Sequence, residues 1–207
     1  MYIYKNILFY LHAFLAFSFC GIGDEIIKNA RQLTFEGARS GEGYFSANGK
    51  KLVYQSESHQ KNPFYQIYLL DLLSGENQLV SSGIGKTTCA WIHPDEKTVL
   101  YSSTHLDANA SLKEIEELKE RESGKARKYS WDYDKNYDLF KTNTVTGKTE
   151  RITFAEGYDA EGSFSPDGKR IVFASNRNAS SYLGRAGGEK FLETSRSRAP
   201  IRGRCPI

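Results

Sequence analysis

The sequence predicts an all-β protein made of repeated four-stranded antiparallel units, and three observations support this prediction. Residues 32–56 align with residues 151–175 without a gap, at a constant offset of 119. A more divergent copy lies at residues 89–103. Each copy contains a turn of the Pro-Asp-Gly type or a variant of it, between two short apolar runs. Such a repeat is typical of the blades of a β-propeller.

Four strands are predicted in each complete unit. The first begins near an aromatic residue and ends at the turn, and the second is short and rich in β-branched and aromatic residues. Third strands are predicted at residues 64–72 and 137–143, and a Ser-Gly or Thr-Gly turn leads from each to a fourth strand in "NQLVS" or "ERITF".

The repeats are expected to occupy residues 24–177, with blade cores near 32–80, 84–154 and 158–177. Residues 31–35, "RQLTF", have the pattern of a fourth strand that closes a blade built with the C-terminus, but no matching strands follow there. About two to three blades give a partial β-propeller, an open arc with exposed strand edges.

The stretches "FSPDGKRIVFASNR" and "IYLLDLLSGE", together with the endings "RQLTF" and "ERITF", resemble the repeats of TolB-like β-propellers of bacterial envelope proteins. The resemblance covers residues 30–178. It implies an exported, non-catalytic module that binds a protein or an envelope component, with an outer-membrane lipoprotein among the candidate partners. Similar repeats also form the propellers of prolyl-oligopeptidase-like peptidases and of some envelope amidohydrolases. The alternative is therefore the propeller remnant of a longer envelope hydrolase whose catalytic part is absent.

Residues 1–23 have one lysine followed by an apolar core of about 13 residues, which suits a signal peptide and is too short for a membrane span. This predicts export to the periplasm or cell surface, with cleavage after Gly23 and no transmembrane span in the mature chain. An uncleaved anchor or a buried helix is the alternative. Cys20 is a candidate for lipidation, although the bulky Phe19 precedes it where lipoprotein signals have a small residue.

Residues 178–207 form a basic tail with six Lys or Arg and two Asp or Glu, so the tail carries +4 and the rest of the chain −1 of the total +3. A near-neutral body argues against a nucleic-acid partner. The tail is rich in Ser, Arg and Gly and is predicted to be disordered. A shortened or frameshifted chain is the interpretation favoured for it, and a basic binding tail is the alternative.

The segment "WDYDKNYD" places oxygen-bearing side chains at alternate positions, because Asn136 lies between the aspartates, and Asp132, Asp134 and Asp138 are candidate calcium ligands. An EF-hand would have Gly and Glu where this chain has Tyr137 and Asn143, so the metal prediction is none, with a calcium-dependent lactonase-type propeller as a further alternative.

No catalytic residues and no cofactor are predicted. No GXSXG or HEXXH motif occurs, and "GIGKTT" has Val80 where a P-loop needs its first glycine. The histidines at 59, 93 and 105 lack metal-ligand spacing, and Cys89 is interpreted as a small buried hydrophobe.

Residues 106–130 interrupt the blade pattern and predict a short helical insertion. Ser111 and Glu114 are spaced as a capping box, and Gly124 is expected to end the helix. Leu112, Ile115 and Leu118 form a thin apolar stripe. The helix is interpreted as a solvated decoration of the propeller; the functional alternative is a partner or ligand surface on one rim of the second blade.

Overall fold

The computed structural model describes residues 29–57, 62–125 and 132–177, and the predicted signal peptide, Cys20, His59 and the basic tail lie outside them. The chain divides into two compact units, Met1–Phe35 and Glu36–Ile207. In the first unit the described residues 29–35 contain no helix or strand, so the predicted strand at 31–35 is wrong. In this segment the Gln32 side chain donates to the Thr34 carbonyl at 2.6 Å.

The second unit contains three antiparallel sheets whose strands pair in chain order. Sheet 1 consists of β1 Ser40–Phe45, β2 Lys51–Ser56, β3 Gln66–Asp71 and β4 Asn77–Leu79. Sheet 2 consists of β5 Thr87–Ile92, β6 Thr98–Ser103, β7 Asp138–Asn143 and β8 Thr149–Arg151. Sheet 3 consists of β9 Asp159–Phe164 and β10 Ile171–Ser175, and one helix, α1 Ala110–Glu122, connects β6 to β7. The predicted fold class, an all-β partial propeller with one short helical insertion, is confirmed.

The turn between the first two strands of each sheet is closed by the same hydrogen bond. Asn48, Asp95 and Asp167 each accept, through a side-chain oxygen, the backbone N–H two residues further on, at 2.8, 2.8 and 3.1 Å. Gly49 and Gly168 follow with φ of +70° and +69°, which favours glycine. The repeated Asn/Asp-Gly pair is therefore a turn former, which explains why it recurs.

Consecutive sheets pack against each other through their first strands. Strand β5 contacts β1, β2 and β3, and β9 contacts β5, β6 and β7. The main core is formed by the facing apolar side chains Val53, Ile67, Leu69, Val80, Ala90, Ile92, Val99, Tyr101 and Phe140. Full burial of a large apolar side chain stabilises the fold by about 1.5–3 kcal/mol, so this sheet-to-sheet contact is a major source of stability.

Candidate binding surface

Helix α1 lies on a rim formed by the connections β2–β3, β4–β5 and β6–β7. Polar side chains of the helix make the contacts with this rim. The helix forms because its thirteen residues are mainly good helix formers, with no Gly or Pro among them. It ends as expected, with Gly124 at φ +66° just after the C-cap Ser123. The predicted insertion thus contains a real helix, and the contacts of its faces determine what it can bind.

Lys113 fixes the first turns of α1 to the loop before β7. Its ammonium group lies 2.7 Å from Asp107 and 2.7 Å from Asp134. Burial disfavours the charge of Lys113, but hydrogen bonds to the two carboxylates outweigh burial and raise its pKa. Burial likewise opposes ionisation of Asp134, while bonds from Lys113 and the Asn136 backbone lower its pKa. The contact is therefore ionised on both sides at neutral pH.

Glu114 holds α1 against the β4–β5 connection. Its Oε1 accepts the backbone N–H of Gly85 at 2.6 Å, a charge-assisted bond. The predicted capping box is therefore wrong. The helix begins one residue before Ser111, its N-cap is Asn109 without a side-chain cap bond, and Glu114 is used in a contact that is distant in sequence.

Arg121 anchors the C-terminal turn of α1 to the β2–β3 connection. Its guanidinium binds Glu57 at 3.1 and 3.2 Å and the Pro63 carbonyl at 2.8 Å, and it also pairs with Glu117 one turn earlier. The Glu57 side chain is almost fully buried and also pairs with Arg39. Burial opposes its ionisation, yet the hydrogen bonds from Arg39 and Arg121 lower the pKa of Glu57.

The apolar side chains of α1 point away from these anchors. Leu112, Ile115 and Leu118 are 53%, 48% and 41% exposed. Ala110, Lys113, Glu114 and Glu117 follow the 3.6-residue period of the inner face, so a polar face packs on the blades and an apolar stripe faces solvent. We call Leu112, Ile115 and Leu118 the apolar stripe. Its orientation is opposite to that of an ordinary surface helix, which buries its apolar face.

The three candidate calcium ligands do not converge on one point. Asp132 and Asp134 both pair with Lys86, at 2.7 and 3.2 Å. Asp138 lies at the start of β7, where it pairs with Arg151 and accepts a bond from the Thr153 hydroxyl at 3.1 Å. Within residues 29–57, 62–125 and 132–177, no group of three or more His, Cys, Asp or Glu side chains is arranged to hold a metal ion.

Glu42, Cys89 and Glu161 occupy the same position in β1, β5 and β9. The interpretation of Cys89 as a small buried hydrophobe is only partly right, because the side chain is partly buried and bonds to a carboxylate. Each has a positive φ, of 46°, 52° and 57°, at a bulge in its strand. The Cys89 thiol donates to Glu42 Oε2 at 3.3 Å. Burial, with the Glu42 and Glu161 charges, raises the pKa of Cys89 to about 12. The thiol therefore stays protonated and is a poor nucleophile. The match of Glu42 with Glu161 across the repeat was the available signal.

The two described histidines have structural contacts. His93 Nδ1 accepts the Asp95 backbone N–H at 3.0 Å, and Nε2 lies 3.2 Å from the Gly168 carbonyl, which joins the turns of sheets 2 and 3. His105 Nδ1 lies 2.9 Å from the Ser103 hydroxyl, but Ser103 is buried. Burial and the neighbouring Arg151 charge lower the pKa of His105. A buried serine beside a histidine next to a cation lacks the access and the orienting carboxylate of a catalytic triad.

The part of the chain that the structure describes contains no helix that is long and apolar enough to cross a bilayer.

No family model matches the chain. Among solved structures, it is similar to TolB from Acinetobacter baumannii, with 20% identity and a TM-score of 0.45 over 68% of this chain and 27% of that chain. It is similar to a putative TolB from Agrobacterium tumefaciens, with 18% identity and a TM-score of 0.46 over 69% of this chain and 42% of that chain.

A third similar structure is the β-propeller domain of the Trilobed protease from Pyrococcus furiosus, with 10% identity and a TM-score of 0.44 over 67% of this chain and 34% of that chain. The match spans less than half the length of each of the three proteins.

Proposed function

We propose that this chain is an exported, non-catalytic propeller module of the TolB-like type that binds a protein or another envelope component through the apolar stripe of α1. An outer-membrane lipoprotein is one candidate partner, and the periplasm or cell surface is the proposed location. The observation that carries the proposal is the inverted orientation of α1, which packs a polar face and exposes an apolar one.

The anchors of α1 explain why the stripe stays exposed. An isolated helix of thirteen residues is marginal in water, so α1 depends on its contacts with the blades. Lys113, Glu114 and Arg121 make those contacts along one face. Rotation of the helix to bury the stripe would move all three into solvent and leave Glu57 with one cation instead of two.

Burial of the apolar stripe under a partner contributes favourably to the free energy of association. Its three side chains are each about half exposed, and the remaining burial of one such side chain contributes about 1 kcal/mol. An apolar row on a helix held rigidly at a rim suits a protein partner because little further ordering of α1 is needed on binding. The stripe is therefore the proposed centre of the interface, with the surrounding charged side chains as its rim.

A non-catalytic role is supported by the chemistry of two described residues, the serine next to His105 and the partly buried cysteine. Ser103 is buried, and the Cys89 thiol has its pKa raised to about 12 by burial and neighbouring carboxylates. Neither group has the accessible, activated form that nucleophilic catalysis needs.

Site-specific photo-crosslinking tests the binding surface. A photoreactive phenylalanine is placed at Ile115 in one variant and at Val145 in another, because Val145 is an apolar residue of high exposure in the β7–β8 turn. The proposal predicts a specific crosslinked product from position 115 only. The partner in this product is identified by mass spectrometry and purified on its own. It should bind the triple variant Leu112→Gln, Ile115→Gln, Leu118→Gln at least about tenfold more weakly than the native chain, which is about 1.4 kcal/mol.

The control for this experiment is the double variant Leu73→Gln, Val145→Gln, which removes exposed apolar residues from the β3–β4 and β7–β8 turns. It should bind with unchanged affinity. Equal crosslinking from positions 115 and 145, or unchanged affinity of the triple variant, would contradict the proposed surface.

Export is tested separately. Residues 1–23 fused to alkaline phosphatase should give an enzyme that is active only outside the cytoplasm. Metabolic labelling with palmitate, compared between the native chain and Cys20→Ser, tests lipidation. An inactive fusion would count against export.

A further inference from the structure

Asn109, in the turn before α1, is the only asparagine among the described residues that has a serine or threonine two positions later. Asn109, Ala110 and Ser111 form the pattern Asn-x-Ser, in which x is not proline. In exported proteins this pattern is the acceptor sequence for N-linked glycans, and such an acceptor has to lie at the surface. The surroundings of Asn109 therefore decide whether it can be modified.

The two polar side chains of the acceptor sequence are exposed and free to react. Asn109 is the N-cap of α1 but makes no side-chain cap bond, and neither Asn109 nor Ser111 uses its side chain in a hydrogen bond to another described residue. By contrast, the following asparagines use their side chains to hold turns or connections: Asn48, Asn62, Asn77, Asn136, Asn143 and Asn176.

The backbone holds the turn at Asn109 without help from its side chain. The Ala110 N–H donates to the Asp107 carbonyl at 3.0 Å, and the Lys113 N–H donates to the Asn109 carbonyl at 2.9 Å. The Asn109 N–H donates to the Asp107 carboxylate at 3.0 Å. A sugar on Asn109 Nδ2 would therefore break no bond that these described residues make, and the folded chain can carry it.

Asp107 gives the acceptor sequence a further chemical feature. It lies two residues before Asn109, so the segment reads Asp-x-Asn-x-Ser, the longer pattern that bacterial oligosaccharyltransferases recognise. A carboxylate at this position offers a charged contact to a basic group of the transferase. The second Asn-x-Ser sequence of the chain, at Asn178, lies outside the described residues and has the uncharged Asn176 at the corresponding position. The chain thus contains its own comparison.

We propose that Asn109 is a site of N-linked glycosylation, with a lipid-diphosphate-linked oligosaccharide as the donor. Asn109 Nδ2 forms a bond to the anomeric carbon of the first sugar, and the bond from that carbon to the diphosphate oxygen breaks. The lipid diphosphate leaves, one amide proton passes to it through a base of the transferase, and nothing is oxidised or reduced. The site rests on the proposed export, because the transferase acts on chains that have crossed the membrane, but it does not depend on binding through the apolar stripe.

Expression in a bacterium that carries an oligosaccharyltransferase and its lipid-linked donor provides the test. The full chain is exported with its own residues 1–23 or with an established signal peptide in their place, and both versions end in an added Asp-x-Asn-x-Thr acceptor sequence. Mass spectrometry of the intact chain and of its peptides locates the sugar. We expect a glycan on Asn109, at higher occupancy than on Asn178, and its complete loss in Asn109→Gln.

Ser111 provides the matched pair of variants. Ser111→Ala should abolish glycosylation of Asn109 because the acceptor hydroxyl is removed, while Ser111→Thr should retain it. Since the Ser111 side chain makes no bond to another described residue, both variants should unfold in urea at the same midpoint as the native chain. A loss of the glycan in Ser111→Ala alone then reflects recognition of the acceptor sequence and not unfolding.

The added acceptor sequence separates the possible failures. An unmodified Asn109 in a chain whose added sequence is glycosylated would overturn the site and leave the proposed export intact. Glycosylation of Asn109 with the established signal peptide but not with residues 1–23 would support the site and contradict the export. A glycan that persists in Ser111→Ala, or that occupies Asn178 in preference to Asn109, would also overturn the proposal.

Discussion

Sheets 1 and 2 both place a buried polar side chain at the first residue of their third strand, but with different chemistry. In sheet 1 this residue is Gln66, which accepts from the Ser81 hydroxyl at 2.7 Å and from the Gly83 N–H at 3.0 Å, and donates to the Gly85 carbonyl at 2.9 Å. In sheet 2 it is Asp138, which pairs with Arg151.

The surrounding hydroxyls are equivalent in the two sheets. The Ser81 hydroxyl accepts the Ile67 N–H at 3.0 Å, and the Thr153 hydroxyl accepts the Leu139 N–H at 2.9 Å. The polar contact between the start of the third strand and the end of the fourth is therefore made in sheet 1 with a neutral amide and in sheet 2 with an ion pair. The comparison shows that the repeat specifies an oxygen acceptor at this point, while its charge is set by the available neighbours.

The largest expected change in the free energy of unfolding comes from placing a carboxylate in sheet 1 at the position equivalent to Asp138 of sheet 2. In Gln66→Glu the new carboxylate oxygen replaces an amide group that donates to the carbonyls of Tyr65 and Gly85, and the hydrogen-bond partners of Gln66 among the described residues include no cation. We expect a loss of about 3–5 kcal/mol in the free energy of unfolding at neutral pH, measured by urea denaturation.

The sign of the pH dependence provides a second check on Gln66→Glu. Burial raises the folded-state pKa of the new carboxyl, so its penalty should disappear as the pH falls through that pKa. Gln78→Glu on the exposed strand β4 is the control and should change stability by less than about 0.5 kcal/mol. A similarly small effect at position 66 would show that the fold does not require a neutral side chain there.

A smaller effect is expected when sheet 2 loses its cation. Arg151→Ala leaves the buried Asp138 carboxylate with the Thr153 hydroxyl and no positive partner. We expect a loss of about 2 kcal/mol, below the range for fully buried pairs because the Arg151 side chain is 34% exposed. Lys141→Ala is the control, since its partner Glu150 is exposed, and it should cost at most about 1 kcal/mol. Equal costs would mean that burial of Asp138 does not matter.

The smallest effect is expected when sheet 2 is made neutral like sheet 1. Asp138→Asn keeps an oxygen acceptor for Thr153, and we expect stability within about 1 kcal/mol of the native chain at neutral pH. Burial raises the pKa of Asp138 more than its bonds to Arg151 lower it. The Asp138 contribution to stability should therefore fall as pH rises from the ordinary aspartate pKa through the raised value.

The difference in stability between the native chain and Asp138→Asn, followed by denaturation across the acid range, should show this fall. A difference that increases with pH would contradict the raised pKa.

Much of the fold was predictable because its determinants are local. The strands, the turns at Asn48, Asp95 and Asp167, and the end of α1 at Gly124 depend on residues within a few positions of each other. The register of the copies also followed from the constant offset.

The orientation of α1 was not predictable from sequence. It is set by contacts over long separations: Arg121 binds Glu57, 64 residues earlier, and Lys113 binds Asp134, 21 residues later. A capping-box spacing could not reveal that Glu114 would accept from Gly85, 29 residues away. The helix was predicted from its capping-box spacing, its recurring apolar residues and Gly124, whereas the exposure of the apolar stripe is decided by contacts of charged side chains with distant parts of the chain.

The bulges at Glu42, Cys89 and Glu161 have a consequence for insertions and deletions in this chain. Each bulge places an extra residue in a first strand, opposite a regular second strand. Removing that residue would shift the part of the first strand that follows the bulge by one position relative to the second strand. Residues such as Phe45 or Ile92 would then move to the opposite face of the sheet. The side chain at the bulge can differ, as glutamate and cysteine do here. The number of residues from the strand start to the turn cannot change by one without inverting the faces that pack between sheets.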